Sequence, residues 1–559
     1  MEHSAAENQK PTGPRSAARW VFACFAAALL GVAWAYCWRV FYYLDSRVSP
    51  LLVTGLCALG AVGAVGAAAL VRRARGIAGK GALCIALCGL LFVFANPPMQ
   101  APDENQYFLR AYAISEGHFD FDAARAYPDD VASLYNSIPG AWVNAHTSQG
   151  LRVNAQSGGQ EAYTNRGYAL KQYGEDGAVQ GIAESFAAYF AGQNTQTVTE
   201  PVSFLVLPFL PQALGMAAAR LLGLAALGCL YGGRIANLAV YTALCWLALQ
   251  MAGRCRPALL CVMLLPTSLF MGASLSYDAY LLGCYYLMIA LLTRRRWDTR
   301  AAWAYLAACV AVNIAKPYLN LLWALLPLCL PRARYAAKGK RWAWTAGMLG
   351  GAAAVTLLTE WYGRVFRFHY EVIARMGGQD VDQLAQLRFI LSNPLRFLAV
   401  LWGTLYENQG FIGQLGLFGW KDMPIDALSV LCPALLAAGI FLSAPSMAGP
   451  EAEPLREARR TGRLLAAFAL LYAAGAMTAM YITYTPVAMV RIVGLQARYF
   501  LPVFGLLALP LSGRAGRLLA PAGGAAPAER RALALFGGFA ALAAVLLFQH
   551  YWIGPIYTI

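Results

Sequence analysis

The chain has 559 residues, of which 59% are apolar and only 13% charged, which excludes a string of soluble domains because no soluble core could hide so many apolar runs. The formal net charge of +16 does not point to nucleic acid. The basic residues come in short clusters between apolar runs, "VRRARGIAGK", "TRRRWDTR", "RARYAAKGKR" and "REARRTGR", which is the positive-inside pattern of cytoplasmic loops in an all-α polytopic membrane protein.

Residues 1–19 form a polar, basic leader (Lys10, Arg15, Arg19) that reads as cytoplasmic. The apolar run from Trp20 to Cys37 lacks a small-residue cleavage site before the polar turn "RVFYYLDSR", so it reads as a first span and not as a cleaved signal. With about 17 to 25 residues per crossing and every basic cluster inside, spans are expected near 20–37, 50–71, 82–97, 224–252, 257–274, 279–293, 302–315, 318–331, 343–359, 427–445, 465–484, 499–512 and 533–549. About thirteen crossings put the C-terminus outside. The chain then divides into three spans over 20–97, a large extracytoplasmic loop over 98–200, a re-entrant segment and transmembrane bundle over 201–359, a second extracytoplasmic segment over 360–426 and C-terminal spans over 427–559.

Two apolar stretches resist this count. Residues 201–222, "PVSFLVLPFLPQALGMAAARLL", carry Pro208 and Pro211 in mid-run; a re-entrant or kinked hairpin that starts and ends outside keeps Arg254 and Arg256 in the cytoplasm. Residues 395–420 are expected to form an interfacial helix followed by a loop.

The loop over 98–200 holds twelve acids against five bases, a net charge of −7 that leaves +23 on the rest of the chain. Charge is thus sorted across the bilayer. All thirteen cysteines lie in or beside apolar runs and none falls between 98 and 200, which argues against a disulfide framework or a CxxC metal site. Internal repeats of the transporter kind are absent, as are GxSxG, Walker and dinucleotide-binding motifs. No nucleotide cofactor is expected. His118, His146 and His369 show no helical pairing and read as loop or surface residues.

"PPMQAPDENQYFLRAYAISEG", residues 97–117, follows directly on an apolar run and sets Asp103 and Glu104 side by side at a span end. A plain reading exists, in which Pro102 opens a helix and the carboxylates favour its dipole. Other charges share that depth. Asp278 in "GASLSYDAY" lies at a span end, Lys316 in "NIAKPYLN" sits in a tight turn, and Arg498 in "LQARYFLP" starts a span, with Arg491 one loop earlier. Charged groups near bilayer depth are costly and are functional candidates by default. Carboxylates that take a proton, with cations that hold a phosphate, are the groups needed to move something off a lipid phosphate.

These stretches, with "PFLPQALGMAAARLLGL", "LYGGRIANL", "PTSLFMGASLSYDAY", "AKPYLNLL" and "GLFGWKDMP", occur in an order that resembles the bacterial membrane family catalogued as domain of unknown function 2142. That family looks like a branch of the GT-C glycosyltransferase superfamily. The resemblance implies a GT-C-like bundle whose large first outer loop carries an acidic motif, here Asp103 with Glu104. It also implies a polyprenyl-phosphate-linked sugar donor, a glycan or lipid acceptor, and contact with membrane lipids. Asp103 would be the base; Glu104 would assist or help bind a divalent cation. The substrate-binding candidates are Arg498, Lys316, Asp278 and Arg491, with the neighbours Tyr107, Arg110, Gln496 and Tyr499. The family pattern often has histidine where Tyr107 stands and glycine where Ala497 stands. A lipid-linked oligosaccharide flippase or exporter, or a surface-polymer ligase, is the alternative.

Overall fold

In the computed structural model, residues 50–120, 122–138, 171–173, 179–199, 205–365, 375–376, 379–419, 423–447, 454–519, 525–548 and 551 are described. The leader, the expected span at 20–37, His146 and His369 lie outside them. The chain divides into a unit Met1–Ala69 and a unit Leu70–Ile559. The first contributes most of helix α1, Pro50–Arg73; among the described residues, the second carries the other elements.

Among the described residues of the second unit, five helices are long and apolar enough to cross a bilayer. They are α2 (Gly76–Ala95), α7 (Ala226–Met251), α15 (Asp426–Met447), α16 (Leu455–Tyr484) and α18 (Ala525–Phe548). A sixth candidate is the pair α13 (Gln383–Ser392) and α14 (Pro394–Glu407), bent by 108° at Asn393. The expected span 257–274 is broken instead into α8 (Arg256–Leu264) and α9 (Pro266–Gly272), because Pro266 cannot continue the preceding helix. The stretch expected to span 318–331 is an 11-residue 3-10 segment, Leu319–Cys329, with Pro327 inside it. Helix α10 (Asp278–Leu292) has 15 residues and α11 (Thr299–Ala315) has 17, so at 1.5 Å per residue α10 is about 22 Å long against a hydrocarbon core of about 30 Å. Helices α12 (Arg341–Val365) and α17 (Leu501–Leu519) complete the bundle.

Of the stretch at 201–222, the described residues 205–222 hold helix α6 (Leu210–Leu221), entered by a 3-10 turn at Leu207–Phe209. Its prolines sit in the first turns, where a missing N–H costs nothing, so the helix itself is unbroken. It packs against α7 through glycines: a Cβ on Gly215 would lie 2.3 Å from the Gly232 carbonyl oxygen. With α3 (Glu104–Ser115), α4 (Asp129–Ser137) and α5 (Ile182–Phe190), these two helices enclose a second apolar core around Phe108, Leu134, Phe209 and Met216. Asp130 accepts from Ala226 N at 3.0 Å and so caps the first turn of α7. Among the described residues the strands are short two-stranded ladders: Lys171–Tyr173 with Val179–Gly181, Arg375–Met376 with Gln379–Asp380, and Leu417–Phe418 with Met423–Pro424.

The bundle has two chemically different ends. At one, the basic loops are tied together: Arg334 donates to the carbonyls of Leu292 and Arg294, Gly253 N donates to Thr293 Oγ1, and Arg256 pairs with Glu529. At the other, Asp278 opens α10, Lys316 closes α11 and Arg498 precedes α17. The short helices therefore deliver charged residues from distant parts of the sequence to one layer.

Candidate functional site

Asp103 is the residue before α3, and its backbone is left-handed, with φ 61° and ψ 8°. For a residue with a Cβ that conformation costs about 1–2 kcal/mol. Its carboxylate does not cap the helix, so the plain helix-start reading fails for this side chain. Oδ2 instead meets Arg498 Nη2 at 3.4 Å and accepts from Tyr107 Oη at 3.4 Å, and the side chain is 34% exposed.

Arg498 sits in a 3-10 turn, Ala497–Phe500, and is buried. Its Nη1 lies 3.4 Å from Asp278 Oδ2, yet Nε and Nη1 have no hydrogen-bond acceptor. Asp278 binds Lys316 Nζ at 2.8 Å through its other oxygen. The ammonium also lies over the rings of Tyr277 and Tyr499, 5.3 Å and 5.1 Å from their centroids, and the Arg498 guanidinium lies over Tyr499 at 5.2 Å. Tyr107, Tyr277 and Phe209 pack their rings together behind Asp103. Two carboxylates and two cations thus share one layer with zero net charge. The layer borders a cleft whose lining includes Pro102, Thr267, Phe270, Gln414, Gln496 and Arg498.

Of the ten candidates from the sequence, Asp103, Tyr107, Asp278, Lys316, Arg498 and Tyr499 meet here, and Gln496 lines the cleft. Three do not join them. Glu104, expected to assist Asp103, is fully buried beneath the layer: Oε1 accepts from Arg234 Nε at 2.8 Å and Oε2 from Arg234 Nη2 at 2.7 Å. Oε1 also accepts from Leu275 N and Oε2 from Ala101 N. A carboxylate with this many donors has no lone pair left for a substrate. Arg110 donates to the carbonyls of Asp120 and Phe119, clamping the turn after α3. Arg491 pairs with Glu407 at 3.3 Å on an open surface.

Arg234 was missed from the sequence although its signal was there: it is the one charged residue in the 26-residue run of α7, and the cost argument applied to Arg498 applies equally to it. The donor set does not favour a divalent cation. Among the described residues no three His, Cys, Asp or Glu side chains converge, and Arg498 already lies between Asp103 and Asp278.

Residues 86–507 match the family described as "predicted membrane protein (DUF2142)". The chain belongs to this family. No curated protein and no solved structure matches the chain. The match begins inside α2 and ends inside α17, so it contains every residue of the charged layer, and with the apolar helices it makes this DUF2142 protein a multi-pass membrane protein.

Proposed function

We propose that this DUF2142 protein is a GT-C-type glycosyltransferase, a bundle of about thirteen transmembrane helices that moves a sugar from a polyprenyl-phosphate-linked donor to a glycan, lipid or wall-polymer acceptor on the extracytoplasmic side. The observation that carries the reading is Arg498, a buried guanidinium with Nε and Nη1 unaccepted, set between the one-third-exposed Asp103 carboxylate and Asp278, whose other oxygen holds the Lys316 ammonium. A buried donor without an acceptor is costly, and a phosphate oxygen would supply what these nitrogens lack.

Asp103 is the carboxylate with open surface, so it takes the acceptor's proton. The acceptor oxygen bonds to the anomeric carbon as the carbon–oxygen bond to the donor phosphate breaks. The released electron pair stays on the phosphate, which Arg498 and Lys316 hold. Asp278, bound on both oxygens by these two cations, keeps them in place. One displacement inverts the anomeric centre.

The test is Asp103→Asn in the full chain, reconstituted in bilayers with a polyprenyl-phosphate sugar. Asparagine tolerates the left-handed backbone, so folding is preserved. Donor binding should persist while turnover falls by about 100-fold or more. A flippase or exporter would tolerate the change, and unaltered lipid movement without sugar transfer would replace this reading. The face is tested by a thiol placed at Gln379 in a cysteine-free variant, which an impermeant reagent should label from outside the cell; protection would place this end in the cytoplasm.

A further inference from the structure

We infer that Arg234 is a positioning residue for Asp103: by capturing Glu104, it holds the residue before it in the left-handed conformation that presents the Asp103 carboxylate to Arg498. The catalytic consequence rests on the reading above; the geometric claim does not.

Arg234 is buried at mid-helix in α7 and uses all three of its nitrogens. Nε and Nη2 hold the two Glu104 oxygens, Nη1 donates to the carbonyls of Val93 and Asn96, and Nη2 also donates to Pro97 O. One side chain therefore fastens the end of α2 to the start of α3, on both sides of the turn that contains Asp103. Within that turn Glu104 Oε2 reaches back to Ala101 N, and Glu104 N donates to Ala101 O. The two residues flanking the 102–103 dipeptide are thus cross-tied, and Asp103 cannot rotate to an ordinary φ without pulling Glu104 off its arginine. A strained backbone persists only where its surroundings over-determine it, and this clamp is the over-determination.

The same clamp reaches the second carboxylate. Leu275 N donates to Glu104 Oε1, and Asn237, three residues after Arg234, donates to the carbonyls of Ser274 and Ser276. Ser276 Oγ in turn accepts from Asp278 N. One face of α7 therefore sets the loop that delivers Asp278 as well as the turn that delivers Asp103.

A buried ion pair that served only stability could be exchanged for apolar side chains of similar size. The deciding variant is therefore the double replacement Glu104→Met with Arg234→Met. It should unfold below the parent, because five backbone groups lose their partners with the pair, but above Arg234→Met alone, which leaves a buried carboxylate without a partner. In a structure of the double variant, residue 103 should leave the left-handed region and the Asp103–Arg498 contact should open beyond hydrogen-bonding distance. With the lipid-linked sugar, turnover should fall about as far as in Asp103→Asn, by about 100-fold, with donor affinity kept. If the double variant does not fold, Glu104→Gln, which keeps the side chain's length and removes its charge, is measured in the same way. A residue 103 that keeps its φ near 60° and its contact, or a turnover recovered together with stability, overturns the inference. If the parent itself transfers no sugar, the glycosyltransferase reading fails, and the backbone at residue 103 still decides the role of Arg234.

Discussion

Asp103 and Glu104 are neighbours in sequence and each meets an arginine, yet the two pairs are built on opposite terms. Glu104 and Arg234 are both fully buried, meet through both carboxylate oxygens at 2.7 and 2.8 Å, and leave no donor or acceptor unused between them. Asp103 and Arg498 touch once, at 3.4 Å, with the carboxylate one-third exposed and the guanidinium short of acceptors. A satisfied pair is a joint, because nothing remains for a ligand to do. An unsatisfied buried cation beside an open carboxylate is a place where a ligand completes the structure.

The comparison breaks most visibly on the satisfied side. Arg234→Met leaves the Glu104 charge buried without a partner and should destabilise the protein by about 3–5 kcal/mol. Asp103→Asn should change stability by less than about 1 kcal/mol, since a partly exposed charge held by one long contact contributes little. Thermal unfolding in one detergent checks both. Equal losses would mean that the two pairs are alike and that Asp103 is a second structural joint.

A smaller effect sharpens the unsatisfied side. Arg498→Lys keeps the charge and removes the planar fork, so donor affinity should weaken about tenfold, near 1.4 kcal/mol. The same change should leave folding intact. Direct binding of the polyprenyl-phosphate sugar to reconstituted protein measures it. Unchanged affinity would show that Arg498 serves Asp103 and Asp278 alone.

Charged groups at bilayer depth were legible from the sequence because their cost does not depend on neighbours: Asp103, Asp278, Lys316 and Arg498 were singled out from segments up to 395 residues apart and meet in one layer. What the sequence does not display is how many donors each group finds. Glu104 reads as an assistant to Asp103 because they share a span end, and only the position of Arg234, 130 residues away, shows that it serves elsewhere. The long helices α2, α7 and α16 follow from apolar length alone. The breaks at Pro266 and in the 3-10 segment Leu319–Cys329 do not, since an apolar run looks continuous until its backbone hydrogen bonds are traced.

The strain at residue 103 offers a finer test, since it compares backbones and not charges. Glycine adopts φ near +60° freely, and alanine does so only at a cost. Both substitutions remove the carboxylate and its contacts, so those losses cancel between them. Asp103→Gly should therefore be more stable than Asp103→Ala by about 1 kcal/mol, while both lose turnover. Were residue 103 inside the first helical turn, where Pro102 opening the helix would place it, the order would reverse, because alanine is the better helix former by about 1 kcal/mol. The sign of the difference thus reports whether residue 103 stays outside the helix in solution, as it does here.

The smallest expected effect lies at the third arginine pair. Arg491 and Glu407 meet at 3.3 Å with side chains 57% and 48% exposed. Solvent and salt screen a pair so open, and holding two long side chains together costs entropy, so such a contact contributes between nothing and about 1 kcal/mol. Arg491→Gln should shift unfolding by no more than about 0.5 kcal/mol and leave donor binding unchanged, since Arg491 is engaged outside the charged layer. The check is a titration of donor into Arg491→Gln beside Arg498→Lys in the same bilayers. If both weaken binding equally, Arg491 swings from Glu407 onto the donor phosphate, and the bound site is wider than the four charges that meet in the free protein.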